Sequence, residues 1–388
     1  MIRNLENRIY RLEQGKFLLF VFMSAILIRL GCLLYLPNLE FPDTKTYILA
    51  GHEIFSGQYI SNDWYMPLYP IYTYLLSSHL GIKIADIFVS SLTVILLYHL
   101  SKTIFCNEYA ARFSSVVLAV YPFSIFYSIS MLTESLFVFA YLLGVYYLYN
   151  RKYILSSLIF SLTILIKPLL FFLIPLLFIV IPKFLHKSNI KNTVKILISY
   201  LFICAIIMTP WWIHNYQRYD NFVPITLIGG YVLYSGNNSL NKTGGGIGGR
   251  DFDASSYFIE FSDPVERDRV MMKDAISYIK NNPLKTAELV GKKFVRFWNI
   301  WPNTNEYSGL TYKLISILSY GIVLLLSIFY IYSFGKTLLV PTLPLWLIII
   351  YIMSISLITI SSIRYRFPVE PILIMFASLW VSSRRKKV

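Results

Sequence analysis

Long apolar runs separated by short polar segments dominate the chain, and their lengths predict helices that cross a membrane. A helix needs about 20 apolar residues to span roughly 30 Å of hydrocarbon. The clearest runs are residues 17–36, 84–101, 133–149, 314–332 and 338–360. Shorter or broken runs lie at residues 113–127, 153–166, 169–181, 196–208 and 369–381. Together they predict an all-α polytopic membrane protein with about ten transmembrane helices.

The dipeptide Lys167-Pro168 decides whether residues 153–181 form one kinked helix or two short ones. Proline either kinks a helix or ends it. The distribution of charge favours two helices, because every short loop rich in Lys and Arg then lies on one side of the membrane. We therefore predict that both termini are cytoplasmic, with residues 1–16 as the amino-terminal segment and residues 384–388 as a basic tail.

This topology places two long segments on the outer face. Residues 37–83 follow the first span, and residues 209–312 separate the seventh span from the eighth, so that spans 1–7 lie within residues 17–208 and spans 8–10 within residues 313–383. The first outer segment is expected to hold juxtamembrane helices. In the second, residues 283–298 alternate apolar and basic positions in a pattern typical of a helix in the membrane interface. Its glycine-rich stretch, residues 244–249, predicts a flexible loop or lid.

Composition narrows the class further. With 56% hydrophobic and only 14% charged residues, the chain is too apolar for an ordinary soluble domain. The net charge of +15 does not indicate a nucleic-acid partner, because the basic residues are scattered between apolar runs. Neither the three cysteines nor the five histidines show the spacing of a metal site. No cofactor is indicated with certainty, and a divalent cation stays an open alternative.

Asp43 follows the first span closely and is expected at headgroup depth, where a carboxylate can meet a lipid-borne substrate. The alternative is structural. Asp43 stands where an N-cap would stand if residues 44–55 form a helix, with Gly57 just after its end. From this stretch by itself both interpretations remain open.

Other charged residues are also expected at the outer edge of the membrane, where their desolvation is costly and makes them functional candidates. They are Arg29, Glu134, Lys167, Arg218, Arg364 and Arg366. Each has a structural alternative, such as snorkelling to headgroups or an ion pair near a helix start. As a group, several cations and two carboxylates at one outer site suit recognition of a lipid phosphate, because arginine forks match phosphate oxygens.

Four separated stretches carry a family resemblance. They are Asp43-Thr44-Lys45-Thr46-Tyr47 with Pro67-Leu68-Tyr69-Pro70, Thr133-Glu134-Ser135, Thr209-Pro210-Trp211-Trp212-Ile213-His214-Asn215-Tyr216, and Arg364-Tyr365-Arg366-Phe367-Pro368. In order and spacing the chain resembles GT-C type membrane glycosyltransferases of the family 39 group. That group takes in the protein O-mannosyltransferases and the lipid A aminoarabinose transferases.

The resemblance implies roles for individual residues. Asp43 would be the general base towards an acceptor hydroxyl, with Arg364 and Arg366 near the donor phosphate and Glu134 supporting the site. Further candidates are Lys167 and Arg218 for binding the donor phosphate, and Tyr47, Tyr69, Asn215 and Tyr365 for supporting the site or substrate. Two departures from the family pattern, His214 for Arg and Lys167-Pro168 for Arg-Pro, leave open which cation grips the phosphate. The lack of a second acid directly after Asp43 argues against a protein acceptor.

The implied activity is an inverting transfer of one sugar from a polyprenyl-phosphate donor to a lipid, glycan or protein acceptor of the cell envelope. It would take place on the extracytoplasmic side of the plasma or inner membrane, among membrane lipids and without nucleic acid. A transporter or flippase, or a polymerase for lipid-linked glycans, is the alternative. A transporter is expected to carry charges at the bilayer midplane and related halves. Here the charges gather at the outer edge.

Overall fold

The computed structural model describes residues 12–58, 63–246, 250–302 and 309–385, which form helices joined by loops. The first half contains α1 (Gln14–Tyr35), α2 (Pro42–Phe55), α3 (Leu68–Leu75), α4 (His79–Phe105), α5 (Glu108–Ala119), α6 (Pro122–Tyr127), α7 (Glu134–Tyr149), α8 (Tyr153–Ile166) and α9 (Leu173–Val180). The second half contains α10 (Ile190–Tyr219), α11 (Gly229–Gly236), α12 (Ser255–Glu260), α13 (Pro264–Asn281), α14 (Pro283–Trp298), α15 (Leu310–Ser316), α16 (Ile322–Phe334), α17 (Leu339–Ile358), α18 (Ile363–Arg366) and α19 (Glu370–Arg385).

The predicted all-α class is confirmed for the described residues, and every predicted apolar run coincides with helix. Within the described ranges, five helices are long and apolar enough to cross a membrane, namely α1, α4, α10, α17 and the continuous pair α15 and α16. Three shorter apolar helices are α7, α8, and α9 with its continuation to Leu185. The count of about ten spans stays a prediction. Residues 1–11 and 386–388, parts of the predicted terminal segments, lie outside the described residues, as do residues 247–249 of the glycine-rich stretch.

Pro168 separates two of the predicted runs from each other. Helix α8 ends at Ile166, Lys167 is extended, and a short 3₁₀ turn at Pro168–Leu170 precedes α9. Proline has no N–H to donate and disfavours helical geometry in the residue before it. Residues 153–181 therefore form two helices, and Lys167 lies just beyond the carboxyl end of the first.

Helix α4 lies at the centre of the bundle, where it packs against α1, α5 and α7. Small residues allow helices to approach closely, as at Gly144 of α7, where an added Cβ would lie 3.0 Å from the ring of Phe160 on α8. Helix α19 closes the other side against α5 and α16. There Phe376 stacks on Tyr330, with ring centroids 4.5 Å apart. Aromatic and aliphatic packing therefore fixes the bundle on which the outer segments rest.

Helices α2 and α3 form a compact pair in the first outer segment. They meet at Gly51, where an added Cβ would lie 2.5 Å from the carbonyl oxygen of Pro70, so that only glycine allows this approach. Asp63 ties this segment to the second one. Its carboxylate pairs with Arg218 at 2.6 Å and with Arg267 at 3.2 Å. The two outer segments are thus joined by ion pairs as well as by packing.

The lysines of α14 do not all lie on a polar face, in contrast to the expectation from the sequence. Lys293 is fully buried, on the same stripe as Leu289 and Phe297. Its Nζ donates to Asn237 Oδ1 at 3.0 Å and to the carbonyl oxygen of Ile358, in the last turn of α17, at 3.4 Å. A cation at a helix carboxyl end is favoured by the helix dipole. Lys293 therefore holds α14 against the end of α17.

The described part of the glycine-rich stretch packs on the same helix. Gly244 has φ +74° and lies so close to α14 that an added Cβ would be 2.9 Å from Cγ of Lys293. Its carbonyl oxygen accepts a hydrogen bond from the backbone N–H of Ser361 at 3.1 Å. Positive φ and close approach both require glycine here. Residues 244–246 are thus part of the packed structure around α14.

Lys293 predicts a pH dependence of stability. Burial lowers the pKa of Lys293 to about 8, whereas an unfolded lysine titrates near 10.4. Between these values the unfolded chain binds more protons, so the free energy of unfolding rises with pH through this window. We expect a gain of about 1–2 kcal/mol on going from about pH 7.5 to about pH 9.5. Thermal unfolding in detergent should show this gain and lose it in Lys293→Met.

Lys292→Met is the matched control, because this neighbouring lysine is partly exposed. It should keep the wild-type pH dependence. Equal pH dependence in the wild type and Lys293→Met would contradict the assignment.

Candidate active site

Four charged side chains meet on the side of the bundle that the sequence predicts to be the outer one. Arg364 lies at the centre, where its Nη1 donates to Asp43 Oδ2 at 2.6 Å and its Nε donates to Glu134 Oε1 at 2.6 Å. Lys167 Nζ donates to the same Oε1 of Glu134 at 3.0 Å. The structure therefore brings together four residues that the sequence singled out, from positions as far apart as 43 and 364.

Each of these charges lies at the end of a helix. Asp43 is in the first turn of α2 and Glu134 is the first residue of α7, where the partial positive charge of a helix amino end favours a carboxylate. Lys167 follows the last residue of α8, at an end that favours a cation. Arg364 is carried by the short α18. Local backbone electrostatics thus agree in sign with three of the four side chains.

The N-cap interpretation of Asp43 is wrong. Helix α2 begins at Pro42, which places Phe41 at the N-cap and Asp43 inside the first turn, and no side chain caps the helix. Proline at the first helical position explains this start, because its fixed φ suits the helix and it has no N–H to satisfy. Gly57, with φ +74°, does follow the end of the helix as expected. The carboxylate of Asp43 is therefore available for Arg364.

The cluster has a closed side and an open side. Glu134 is fully buried, whereas the side chains of Lys167, Arg364 and Asp43 are 18%, 30% and 31% exposed. Among the residues that the structure describes, Arg364 uses only Nη1 and Nε in hydrogen bonds, so Nη2 remains free for a ligand. A ligand approaching from outside would meet Asp43, Arg364 and Lys167, with Glu134 behind them.

Charge balance explains why Glu134 can be buried. A carboxylate removed from water is stabilised only by close cations and hydrogen bonds, and Glu134 has both Arg364 and Lys167 within 3.0 Å. Burial lowers the pKa of Lys167, and Arg364 acts in the same direction, while the carboxylate of Glu134 opposes both. With two cations and two carboxylates, the cluster is electrically neutral before any ligand binds.

Tyrosines lie around the Asp43 side of the cluster. Tyr47 is buried, and its ring centroid lies 4.4 Å from that of Tyr65 and 4.9 Å from that of Tyr69. Burial and the nearby carboxylate of Asp43 raise the pKa of Tyr65, so its hydroxyl stays protonated. The ring of Tyr365 lies 5.7 Å from Lys167 Nζ. Tyr47 and Tyr365 thus lie beside the cluster, and Tyr69 lies behind it.

Arg366 points away from the cluster, although it is only two residues from Arg364. It is fully buried, where its Nε donates to Glu370 Oε1 at 2.7 Å and its Nη1 donates to the carbonyl oxygens of Phe297 at 3.2 Å and Asn299 at 2.5 Å. Its guanidinium also lies 3.4 Å from the ring centroid of Tyr320. These contacts give no support to the predicted contact with a donor phosphate, which stays a prediction.

Arg218 and Asn215 also lie in other surroundings. Arg218 pairs with Asp63 in the link between the outer segments. Asn215 is buried, and its Nδ2 donates to the carbonyl oxygens of Val223 at 2.8 Å and Ile225 at 3.3 Å. Its contacts are those of a side chain that fixes the loop after α10. The sequence grouped these residues with the site because the predicted topology places them on the outer side too.

Arg29 is likewise fully buried apart from the cluster. Its guanidinium donates to the hydroxyls of Ser90 at 3.0 Å and Ser124 at 2.9 Å, and to the carbonyl oxygens of Ala25 at 3.1 Å and Ala119 at 3.0 Å. Snorkelling to headgroups does not describe this side chain. It instead satisfies its donors inside the protein, where it joins α1 to α4, α5 and α6.

Sequence reasoning missed two residues near the cluster, Tyr65 and Asp86. Tyr65 belongs to the stretch before Pro67, which drew attention for other residues. Asp86 lies within the apolar run 84–101 and is fully buried on α4. A carboxylate inside a predicted span is itself a signal of function. The length and hydrophobicity of the run concealed it.

The described residues do not form a metal site of the usual composition. In residues 12–58, 63–246, 250–302 and 309–385, no three His, Cys, Asp or Glu side chains are grouped so that they could hold a metal ion. Asp43 and Glu134 offer two carboxylates, but the guanidinium of Arg364 lies between them.

The helical architecture is the GT-C fold of membrane glycosyltransferases. It matches the oligosaccharyltransferase of Archaeoglobus fulgidus in its apo form with a TM-score of 0.57 and 14% identity, over 96% of this chain and 51% of that one. The same enzyme, AglB, in complex with an inhibitory peptide and a dolichol-phosphate, gives a TM-score of 0.58 at 14% identity, with coverages of 96% and 51%. The form tethered to an acceptor peptide containing the NVT sequon gives 0.53 at 14% identity, with coverages of 96% and 50%.

The chain therefore spans about half the length of these structures. No protein-family model and no curated protein sequence matches it. At this level of identity the likeness establishes the fold but does not establish the reaction. Membership of the family 39 group stays a prediction.

The burial gradient predicts different stability costs for the two carboxylates. Glu134→Gln leaves Arg364 and Lys167 facing a neutral amide in a buried place and should cost about 3–5 kcal/mol. Asp43→Asn removes a partly exposed pair and should cost about 1 kcal/mol or less. Thermal unfolding of the two variants in detergent, compared with the wild type, measures both. Equal losses of stability in the two variants would contradict the assignment of Glu134 as the buried partner of both cations.

Proposed function

We propose that this chain is a membrane glycosyltransferase that moves a sugar from a polyprenyl-phosphate donor to an acceptor of the cell envelope. The observation that carries the proposal is Arg364, which bridges Asp43 and Glu134 on the outer side of a GT-C fold. The proposed location is the extracytoplasmic face of the plasma or inner membrane, with both termini in the cytoplasm.

Binding of the donor phosphate is assigned to Arg364 and Lys167. Arg364 Nη2 and the remaining N–H groups of Lys167 are the cationic donors on the partly exposed side of the cluster. An arginine presents a planar fork that fits phosphate oxygens, and lysine adds a compact charge. Since the phosphate arrives on a lipid, a site near headgroup depth needs no movement of the charged group through hydrocarbon.

Asp43 is assigned as the general base. It is the one carboxylate of the cluster with exposed surface, so an acceptor hydroxyl can reach it. The acceptor oxygen attacks the anomeric carbon while the bond from that carbon to the phosphate oxygen breaks. Asp43 takes the proton of the hydroxyl, and the polyprenyl phosphate leaves with the bonding electron pair. Attack opposite the leaving group inverts the anomeric configuration.

Stabilisation of the leaving phosphate falls to the cations, which lie ready before the reaction. Negative charge grows on the phosphate oxygen as the bond breaks, and fixed cationic donors in a partly desolvated place stabilise it strongly. Glu134 holds both cations, within 2.6 Å of Arg364 Nε and 3.0 Å of Lys167 Nζ. It is therefore a positioning residue that touches no substrate.

The structural neighbours support the chemical class of the donor. One of them is a complex with an inhibitory peptide and a dolichol-phosphate. Dolichol-phosphate belongs to the polyprenyl-phosphate class of lipids. Another is tethered to an acceptor peptide. For this chain the acceptor stays open between lipid, glycan and protein, and the sugar is to be found by experiment.

The first test is Asp43→Asn in the native host, with surface glycans and lipid-linked sugars analysed by mass spectrometry. Loss of a general base lowers a rate by about 10²–10⁴-fold. We expect one sugar to disappear from the envelope while its polyprenyl-phosphate form accumulates on the outer leaflet. Glu40→Gln is the matched control, because this carboxylate lies in the same outer segment and pairs with His79 at 2.8 Å, away from the cluster.

Unchanged glycans in Asp43→Asn at normal protein level would contradict the proposal. Accumulation of the lipid-linked sugar on the cytoplasmic leaflet would instead indicate a flippase. A lipid-linked oligosaccharide accumulating in place of a monosaccharide would indicate a polymerase.

Arg364→Lys tests the binding of the phosphate separately. Lysine keeps the positive charge, but its three N–H donors are on one nitrogen, so it cannot span Asp43, Glu134 and the phosphate as the separate nitrogens of the guanidinium do. We expect KM for the donor to rise by at least about tenfold, a loss of ~1.4 kcal/mol. Steady-state kinetics on purified protein, with the donor identified above, measures it. An unchanged KM would remove Arg364 from donor binding.

A further inference from the structure

A buried carboxylate lies on α4, outside the cluster of the proposed active site. Asp86 has no exposed surface and belongs to one of the five helices long and apolar enough to cross a membrane. Among the described residues no Lys, Arg or His lies within ion-pair distance of it. Its oxygens instead accept hydrogen bonds from the hydroxyls of Tyr72 at 2.9 Å and Tyr69 at 3.3 Å.

Both tyrosines belong to α3 of the first outer segment, and they lead back to the cluster. Tyr69 and Tyr72 stack on each other with ring centroids 5.5 Å apart. Tyr69 meets the ring of Tyr47 edge to face at 4.9 Å, and Tyr47 lies 4.4 Å from the ring of Tyr65. Tyr65 in turn lies near enough to Asp43 for this carboxylate to raise the pKa of its hydroxyl. A series of neighbouring side chains thus leads from Asp86 to the proposed base.

The backbone follows the same route. Thr73 on α3 donates a hydrogen bond to the carbonyl oxygen of Tyr47 on α2 at 3.4 Å, and Gly51 allows the two helices to touch. Helix α2 begins at Pro42, one residue before Asp43. A shift of α3 on α4 therefore moves the amino end of α2, and with it the carboxylate that must face Arg364.

A carboxylate of this kind is costly, since removing an ionisable group from water without a cation is strongly unfavourable. Leucine at this position would fill the space between apolar helices without that cost. What leucine cannot do is accept two directed hydrogen bonds from an adjacent helix. Fixed geometry is what a transfer reaction demands, because a displacement of about 1 Å can lower a rate by about 10²-fold.

We propose that Asp86 is a positioning residue, which anchors α3 to the membrane bundle and so holds α2 with Asp43 in register with Arg364. The proposal rests on the proposed function for its kinetic consequence. Its structural consequence, the fixed position of α2, is independent of any reaction and is tested separately.

The kinetic test compares Asp86→Leu and Tyr72→Phe with the control Ser91→Ala. Ser91 is a buried residue of the same helix, and its hydroxyl donates a hydrogen bond to the backbone carbonyl oxygen of Ile87 in that helix. We expect kcat of Asp86→Leu to fall by about 10²-fold while KM for the donor changes less than about threefold, because Arg364 and Lys167 are untouched. Tyr72→Phe, which removes one hydrogen bond and keeps the ring, should lie between. Ser91→Ala should match the wild type.

The structural test measures distances between spin labels in the same variants. With the native cysteines replaced, Lys45→Cys places one label on the exposed side of α2 and Val295→Cys places the other on the exposed side of α14. A narrow distance distribution in the wild type should broaden or shift in Asp86→Leu and, less, in Tyr72→Phe. Should Asp86→Leu fail to accumulate, Tyr72→Phe carries both tests.

The outcomes separate the two proposals. A broadened distribution with a fall in kcat supports the positioning role. If the wild type transfers no sugar, the proposed function fails, while the label distances still decide whether Asp86 holds α2. A narrow, unshifted distribution with unchanged kcat in Tyr72→Phe and Asp86→Leu would show that Asp86 merely fills its place, and would overturn the inference.

Discussion

The buried carboxylate of Glu134 is the constraint on which the candidate site of this protein depends. Desolvation of this charge must be offset by cations at hydrogen-bond distance, and the two available ones come from the end of α8 and from α18. Three helix ends are thereby held at one point. Asp43 joins as the fourth through Arg364 and keeps its exposed edge. Stability and chemistry thus share one arginine, which fixes the buried acid on one side and faces the partly exposed acid on the other.

Two arginines separated by one residue have different contacts in this region. Arg364 faces the cluster, whereas Arg366 is locked to Glu370 and to the carbonyl oxygens at the end of α14. The second arginine holds α18 from behind, so the first has little freedom to leave its partners. Arg296 adds to this support by donating to the carbonyl oxygen of Ser361 at 3.2 Å. The second predicted outer segment therefore supports the site.

Much of this arrangement was accessible from the sequence, because desolvation costs act locally. Apolar runs predict helices, and charges at their ends stand out against them, which is how Asp43, Glu134, Lys167 and Arg364 were found. Which charges meet is another matter. The rotation of the short α18 decides between Arg364 and Arg366, and no pattern in Arg-Tyr-Arg reveals it. Asp86 was missed because one carboxylate barely lowers the hydrophobicity of a long run, and its tyrosine partners lie 14 and 17 residues upstream without a periodic pattern.

The long separation between the partners of the cluster also bears on how the protein is made. Glu134 and Lys167 are 33 residues apart, while Asp43 and Arg364 are 321 apart. During synthesis the first pair can form as soon as α7 and α8 are inserted, but Asp43 waits for its cation until α18 has left the ribosome. Until then a nascent chain holds the two acids and Lys167 without Arg364. Completion of the site therefore requires α18, so only a chain that has been inserted as far as this helix carries a finished cluster.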